Sequence, residues 1–453
     1  MNEPFSYSGI WWVPGHETET TSGVISYEFG KMLKLELNGE IRPNSDFQIL
    51  ILGSCSNGKI ITLYKCLKTS SQASVPGYVT ESYTCVICLV SYHYNTEEDI
   101  KFNSILFRFD SLNEWLGHKI FKNTKEKSTK DSEIYSIEAK IPKLKIVSFE
   151  DIRMSFKYFY SLSYGNEGFS IKNLNPWIMI DFNEAKKLED IWYYLQNVSS
   201  FIDLGIGKRS KLLNLQAIPI HNEERVNNIE IYYMIFDKGK TNEYKSYFMP
   251  FVYDEILHDI AKYLKGWFNV IKKYNPTYET LFASFDNPYI NPVHEFLTLT
   301  QALESFHSRK YTKDYVVPKK EYNKIIKILK KKIDGESIER YYKDFLISRL
   351  IHWNSKTLRI RLKELYQNND NELKGIIKNK NIFIDKIVNT CNYYTHYDKT
   401  LEPNIIKGKD LILYNQKLRL IIIILLLKES RFKEDLIKKI IEKYEYLSVV
   451  NVY

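Results

Sequence analysis

Two periodicities divide the chain. Over about the first 120 residues apolar and polar positions alternate, and beyond Pro250 apolar residues recur every three or four positions. Leu33, Leu35 and Leu37 alternate with Lys34 and Glu36 and run into Asn38-Gly39, which predicts a half-buried strand ending in a tight hairpin. A second such pair, Asn57-Gly58, separates QILILGSCS from KIITLYKC, and TCVICLVSY and ILFRF continue the pattern. Short strands at this spacing predict a sandwich or barrel-like sheet. The polar stretch Lys122 to Glu133 reads as a loop, after which Ile134 to Ile141 alternates again. Between 143 and 252, WIMIDF and IEIYYMIF read as strands around one helical segment, Glu184 to Phe201.

Helical stripes follow. Phe296, Leu299, Leu303 and Phe306 form one, and Ile325, Ile328 and Leu329 form another among Lys324, Lys327, Lys330, Lys331 and Lys332. Asp334-Gly335 interrupts before Ile338, Tyr341, Tyr342, Phe345 and Leu346 resume. Leu358, Leu362 and Leu365 come next, then Ile384, Ile387, Val388 and Cys391, and finally the long segment Asp410 to Leu427. Helices joined by short loops predict a bundle. The expected fold is therefore α+β and multidomain: a β-rich, sandwich-like N-terminal region over 1–252, with a sub-boundary near 122–142, a helical connector over 253–289, and an α-helical domain over 290–453.

With 453 residues, 44% of them hydrophobic and 15% aromatic, the chain can bury more than one core, which excludes wholesale disorder. Charge is unevenly spread. Residues 291–453 carry 32 Lys+Arg against 20 Asp+Glu, net +12, leaving net −3 for residues 1–290. That asymmetry points to a polyanion at the C-terminal part, with solvated lysine-rich helix faces as the plain alternative. Five cysteines, Cys55, Cys66, Cys85, Cys88 and Cys391, are too few and odd in number for a disulfide framework, and a reducing cytoplasm is expected. The N-terminus has no basic start followed by an apolar run, so no signal peptide is expected. The apolar run Leu420 to Leu427 is far shorter than the roughly 20 residues a membrane helix needs. It reads as a buried helix or an oligomer seam, and no membrane partner is expected.

Three motifs have ordinary readings. Cys85-Val-Ile-Cys88 lacks a second ligand pair and sits on a strand, where residues three apart point to opposite faces, so no metal is expected. Gly205-Ile-Gly207-Lys208 contains the end of a phosphate loop, but Ile202 stands where the first glycine belongs and Arg209 where the hydroxyl belongs. A glycine turn at a helix C-terminus fits better. Trp11-Trp12 reads as an anchor of the first strand rather than a binding platform.

The remaining constellation is T-C-N-Y-Y-T-H, Thr390 to His396, together with FLTLTQALESFHSRK, Phe296 to Lys310. On one helix, Asn392 and His396 lie four residues apart on the same face, and a histidine there can move a proton near neutral pH. Periodicity alone reads Cys391 as a core position and His396 as a helix-end residue. The motif, with A-L-E-S-F-H upstream, resembles the HEPN ribonucleases of the ApeA type, in which Arg and a polar residue precede the histidine. Asn392, Tyr393, Tyr394 and His396 match, and Cys391 occupies the arginine slot. The G-I-W-W-V-P opening and the segment G-K-I-I-T-L-Y-K-C resemble the N-terminal domain fused to these HEPN domains.

The resemblance implies a metal-independent, cofactor-free endoribonuclease of anti-phage, abortive-infection type. It implies a homodimer, RNA as partner with tRNA among the candidates, and a phage-derived or cellular trigger sensed by the β-rich half. His396 would be general acid or base, and Asn392 and Glu304 would orient the site. A cysteine in place of the arginine implies a nearly inactive copy. The alternatives are a non-catalytic RNA- or protein-binding module that keeps the fold, and a structural interaction protein.

Overall fold

The computed structural model describes residues 3–118, 120–128, 133–142, 146–165, 168–220, 228–234, 245–286, 290–311 and 315–450. They form two compact units, 1–261 and 262–453.

The first unit opens with β1 (Phe5–Trp12), β2 (Thr21–Tyr27), β3 (Leu33–Leu37), β4 (Phe47–Cys55), β5 (Ile60–Ala73) and β6 (Val79–Val90). Every neighbouring pair is antiparallel, and the order β6-β3-β2-β1-β4-β5 returns to β6, closing a barrel. The β-rich region is thus the barrel-like form of the expected sheet, a closed barrel with further strands added at β6. Trp11, Tyr27, Leu35, Ile51, Leu63 and Tyr83 are among the side chains that fill it. The Asn57-Gly58 turn makes the expected β4–β5 hairpin, with Ser54 opposite Ile60 and Gly58 at φ 80°. Asn38-Gly39 does not make one, because the free edge of β3 is taken by β6 and the chain crosses to β4 elsewhere on the barrel.

The two cysteines of β6 also depart from expectation. Cys85 and Cys88 face the same core, because Lys65 on the adjoining β5 adopts φ 53° and the inward phase of both strands shifts there: Leu63 then Cys66, Cys85 then Cys88. Burial pushes both thiols well above their ordinary value, so they sit as small protonated apolar groups. Trp11 is buried, and Trp12 meets His93 edge-on at 5.1 Å, as strand anchors do.

Beyond the barrel come β7 (Lys101–Phe109), α1 (Leu112–Leu116), β8 (Phe121–Ser128), β9 (Glu133–Ala139), β10 (Ile146–Phe149), β11 (Ile152–Gly165), β12 (Gly168–Lys187), α2 (Leu188–Ile206), β13 (Leu212–Pro219), β14 (Ile229–Tyr233) and α3 (Tyr253–Ile256). The sheet continues from β6 through β14, β13, β7, β12 and β11 to β10. Lys122 to Ser128, expected as loop, is paired backbone: β8 and β9 form a separate two-stranded ribbon, which hydrogen bonding alone can organise without apolar alternation. Residues 129–132 and 235–244, including part of IEIYYMIF, lie outside the described residues. The helix expected from Glu184 begins four residues later, since Glu184 to Lys187 still belong to β12. It ends as a glycine turn: Gly207, at φ 85°, donates to the Asp203 carbonyl at 2.7 Å. The buried Asp203 carboxylate accepts from Arg209 and from the Ser210 amide, at 2.9 and 2.8 Å.

The second unit is helical: α4 (Ile260–Lys273), α5 (Asn275–Asp286), α6 (Pro292–Lys310), α7 (Lys319–Gly335), α8 (Arg340–His352), α9 (Leu358–Gln367), α10 (Asp370–Leu373), α11 (Lys380–His396), α12 (Gly408–Glu429) and α13 (Glu434–Val450). The stretch expected as a connector is built into this unit from residue 262: Tyr274 stacks on Phe306 at 4.7 Å and Tyr263 on Phe432 at 4.1 Å. Leu420 to Leu427 are all buried within the chain, so this run is the bundle's central helix and cannot serve as an oligomer seam. Asn415 on α12 donates to the Pro292 carbonyl and to Glu295 of α6, at 2.8 and 3.0 Å. Among the described residues no helix is long and apolar enough to cross a membrane.

Candidate active site

Three helices of the second unit meet around the motif. On α11 the buried positions Phe383, Ile384, Ile387 and Thr390 set the inward face. Asn379 caps its start, accepting from the Ile382 amide at 3.1 Å, and Tyr397 ends it at φ 53°. Thr390 is more than a core filler. Its buried hydroxyl accepts from the Ile406 amide at 2.9 Å and ties the segment after the helix back onto it.

Asn392 and His396 are on the exposed side of this last turn and a half. Tyr393, Tyr394 and Tyr397 flank His396 in sequence, with ring centroids of Tyr393 at 5.2 and 5.9 Å from the other two. Asp398 follows, its pKa lowered by hydrogen bonds from Thr400, with a smaller contribution from His396. An imidazole, an amide and an ionised carboxylate thus share the helix end.

Cys391 is half-buried. Burial pushes its thiol up, Thr395 opposes by hydrogen bonding, and the charge of Glu304 adds to the rise. Helices α6 and α11 pack together, so the charge of Glu304 on α6 acts on Cys391, and the sulfur there is a neutral thiol. On the far side of Glu304 stands a guanidinium: Nε of Arg361, from α9, is 3.8 Å from Glu304 Oε1. Arg361 also donates to Ser308 Oγ and, at 3.1 Å, to the Lys356 carbonyl.

Sequence reasoning passed over Arg361, and it passed over the pair beside it. His307 is fully buried, with Nε2 2.7 Å from Glu364 Oε2, and Lys356 Nζ donates to the same oxygen at 2.6 Å. Burial lowers the His307 pKa against the pull of Glu364, aided by the positive charges of Arg361 and Lys356. Burial also acts to raise that of Glu364, but the hydrogen bonds from Lys356 and His307 outweigh it and hold the carboxyl below its usual value. The arrangement is a neutral imidazole donating to a carboxylate that Lys356 neutralises. A signal for it existed: Glu304, His307 and Ser308 share one helical face, as do Arg361 and Glu364 three residues apart.

Among the described residues no group of three or more His, Cys, Asp or Glu side chains is placed to hold a metal ion. The family model for ApeA N-terminal domain 1 matches residues 6–267, and that for the Apea-like HEPN domain matches residues 297–436, which contain Glu304, Cys391, Asn392 and His396. Searches of curated proteins and of solved structures returned no match.

Proposed function

The chain belongs to the ApeA-like HEPN family of anti-phage nucleases, and we propose that it is a metal-independent endoribonuclease of abortive-infection type whose own copy of the site is nearly inactive. What supports this reading is the packing of α6 against α11, with the charge of Glu304 acting on Cys391 in the helical turn that bears Asn392 and His396. In the proposed reaction the RNA 2′-hydroxyl attacks the adjacent phosphate. His396 moves a proton as general acid or base, and Asn392 and Glu304 orient the groups around it.

The developing charge on the phosphoryl oxygens then needs a cation, which an arginine at 391 would provide. A neutral thiol offers neither charge nor a bidentate fork, and losing one such stabilising group costs on the order of 10²–10³ in rate. Arg361 does not fill the gap in this reading, because its guanidinium is engaged with Glu304, Ser308 and the Lys356 carbonyl. The protein acts in the cytoplasm as a homodimer, with the barrel unit sensing a phage-derived or cellular trigger and RNA, tRNA included, as substrate. Burial of Leu420 to Leu427 moves the dimer contact away from that run.

The test is RNA cleavage in the presence of chelator and trigger-bearing phage lysate. Cys391→Arg should raise cleavage by about 10²-fold or more over the unsubstituted chain, and adding His396→Ala should abolish the gain. A Cys391→Arg protein that folds and cuts nothing would leave the non-catalytic RNA- or protein-binding module as the better reading.

A further inference from the structure

Helices α7 and α8 form an antiparallel hairpin: the Tyr322 hydroxyl near the start of α7 donates to the Leu350 carbonyl near the end of α8, and Lys343 Nζ reaches the Asp334 carbonyl at 2.7 Å. The better-covered positions, Tyr322, Ile326, Leu329 and Ile333 on α7 and Lys343, Ile347 and Leu350 on α8, are spaced to face each other. With that side fixed, the right-handed turn of the two helices puts Ile325 and Ile328 on the same flank of the hairpin as Tyr342 and Leu346. These are exposed by 43%, 60%, 53% and 39%, and no residue of α7 is buried at all. Four large apolar side chains on one flank of a two-helix layer make a surface that a third helix would cover.

Its edges are cationic. Lys320, Lys324, Lys327 and Lys331 form an exposed ridge along α7, and Arg349 lies over the Phe345 ring at 5.3 Å on α8. Residues 319–352 carry ten Lys and Arg against five Asp and Glu, net +5. Two copies of the hairpin laid face to face would oppose like charges, which disfavours self-pairing. Three of the four side chains, Ile325, Ile328 and Leu346, are aliphatic and give a base no ring to stack on, so Tyr342 alone would offer a nucleic acid an aromatic face here.

We propose that the apolar flank of the α7–α8 hairpin is a docking site for an amphipathic helix of a partner protein, with leucine-like residues on one face and acidic residues on either side of it. The apolar face would seat on Ile325, Ile328, Tyr342 and Leu346, and the carboxylates would meet the lysine ridge and Arg349. The proposal does not depend on nuclease chemistry, and its test leaves position 391 unchanged.

The probe is a fluorescent synthetic helix of about 21 residues, long enough for a stable amphipathic face, with leucines at i, i+3, i+4 and i+7 and glutamates flanking them. It is titrated into the full chain beside a scrambled peptide of the same composition and a single-stranded RNA, with light scattering on each variant. The ordered peptide should bind saturably and the scrambled one at least tenfold more weakly. Ile328→Asp with Leu346→Asp, both at exposed positions, should weaken the ordered peptide about tenfold or more while leaving the unfolding midpoint, RNA affinity and oligomeric state unchanged. Lys324→Glu with Lys331→Glu should weaken it and reduce its salt dependence. Equal binding of both peptides, or indifference to the apolar pair of substitutions, would overturn the proposal. Loss of RNA affinity in the apolar variant would reassign the flank to nucleic acid, and conversion of an oligomer to monomer would reassign it to a second copy; either result also overturns it.

Discussion

In the proposed reaction a single side chain, at position 391, separates an enzyme from its scaffold. The departure from the family pattern that this reading rests on comes from the sequence alone, where Asn392, Tyr393, Tyr394 and His396 follow Cys391. What the sequence could not show was the state of the thiol, which depends on burial and on the charge of Glu304, 87 positions upstream. The same limit hid His307. It was quoted within ALESFH but has meaning only once Glu364 and Lys356 arrive from another helix. Its lowered pKa carries a consequence with a definite sign. The unfolded chain binds a proton at His307 as pH falls through the ordinary histidine value, about 6.5, while the folded chain resists. Stability from this group is therefore complete above that value and declines below it. Thermal unfolding of the full chain should show the helical transition moving down between pH 7.5 and 5.5. In His307→Gln that acid-side slope should be reduced, and equal slopes in the two proteins would contradict the account.

Elements were read best where the period was clean. The Phe296, Leu299, Leu303, Phe306 stripe is the buried side of α6. Of two stripes of equal quality, Ile325 and Ile328 on α7 and Tyr341, Tyr342, Phe345 and Leu346 on α8 are exposed, since periodicity reports an apolar side and not whether anything covers it. Asn38-Gly39 failed for a related reason: turn chemistry is local, whereas the partner of β3 is chosen by barrel closure. For the eight-residue run Leu420 to Leu427 the sequence left two readings open, and complete burial selects one. Ile424, at the centre of the run, should behave as a core residue. Ile424→Ala should cost about 2–5 kcal/mol of stability, seen as a lowered denaturant midpoint, with no change in oligomeric state. A variant that keeps its midpoint and loses a dimer would restore the seam reading.

At the scale of the whole molecule, charge and architecture divide together. The basic excess lies in the helical unit, and a cut at residue 290 would strip α4 and α5 from that unit's core, since the two compact units divide at 261/262, at the start of α4. Residues 258–453 should retain RNA with an affinity that falls steeply as salt rises, log K losing about 0.7 for each phosphate neutralised on a single strand, while residues 1–257 retain little. Equal retention by both pieces at moderate salt would mean that the asymmetry has no functional content.

The chemistry itself leaves a signature on the product. If the 2′-hydroxyl is the nucleophile, cleavage by Cys391→Arg in chelator must leave a 2′,3′-cyclic phosphate on one fragment and a free 5′-hydroxyl on the other. End-group analysis of the cut RNA by mass spectrometry tests this directly. The account predicts cyclic phosphate and 5′-hydroxyl ends that vanish when His396→Ala is added. Ends bearing 3′-hydroxyl and 5′-phosphate, or cleavage that persists without His396, would contradict it.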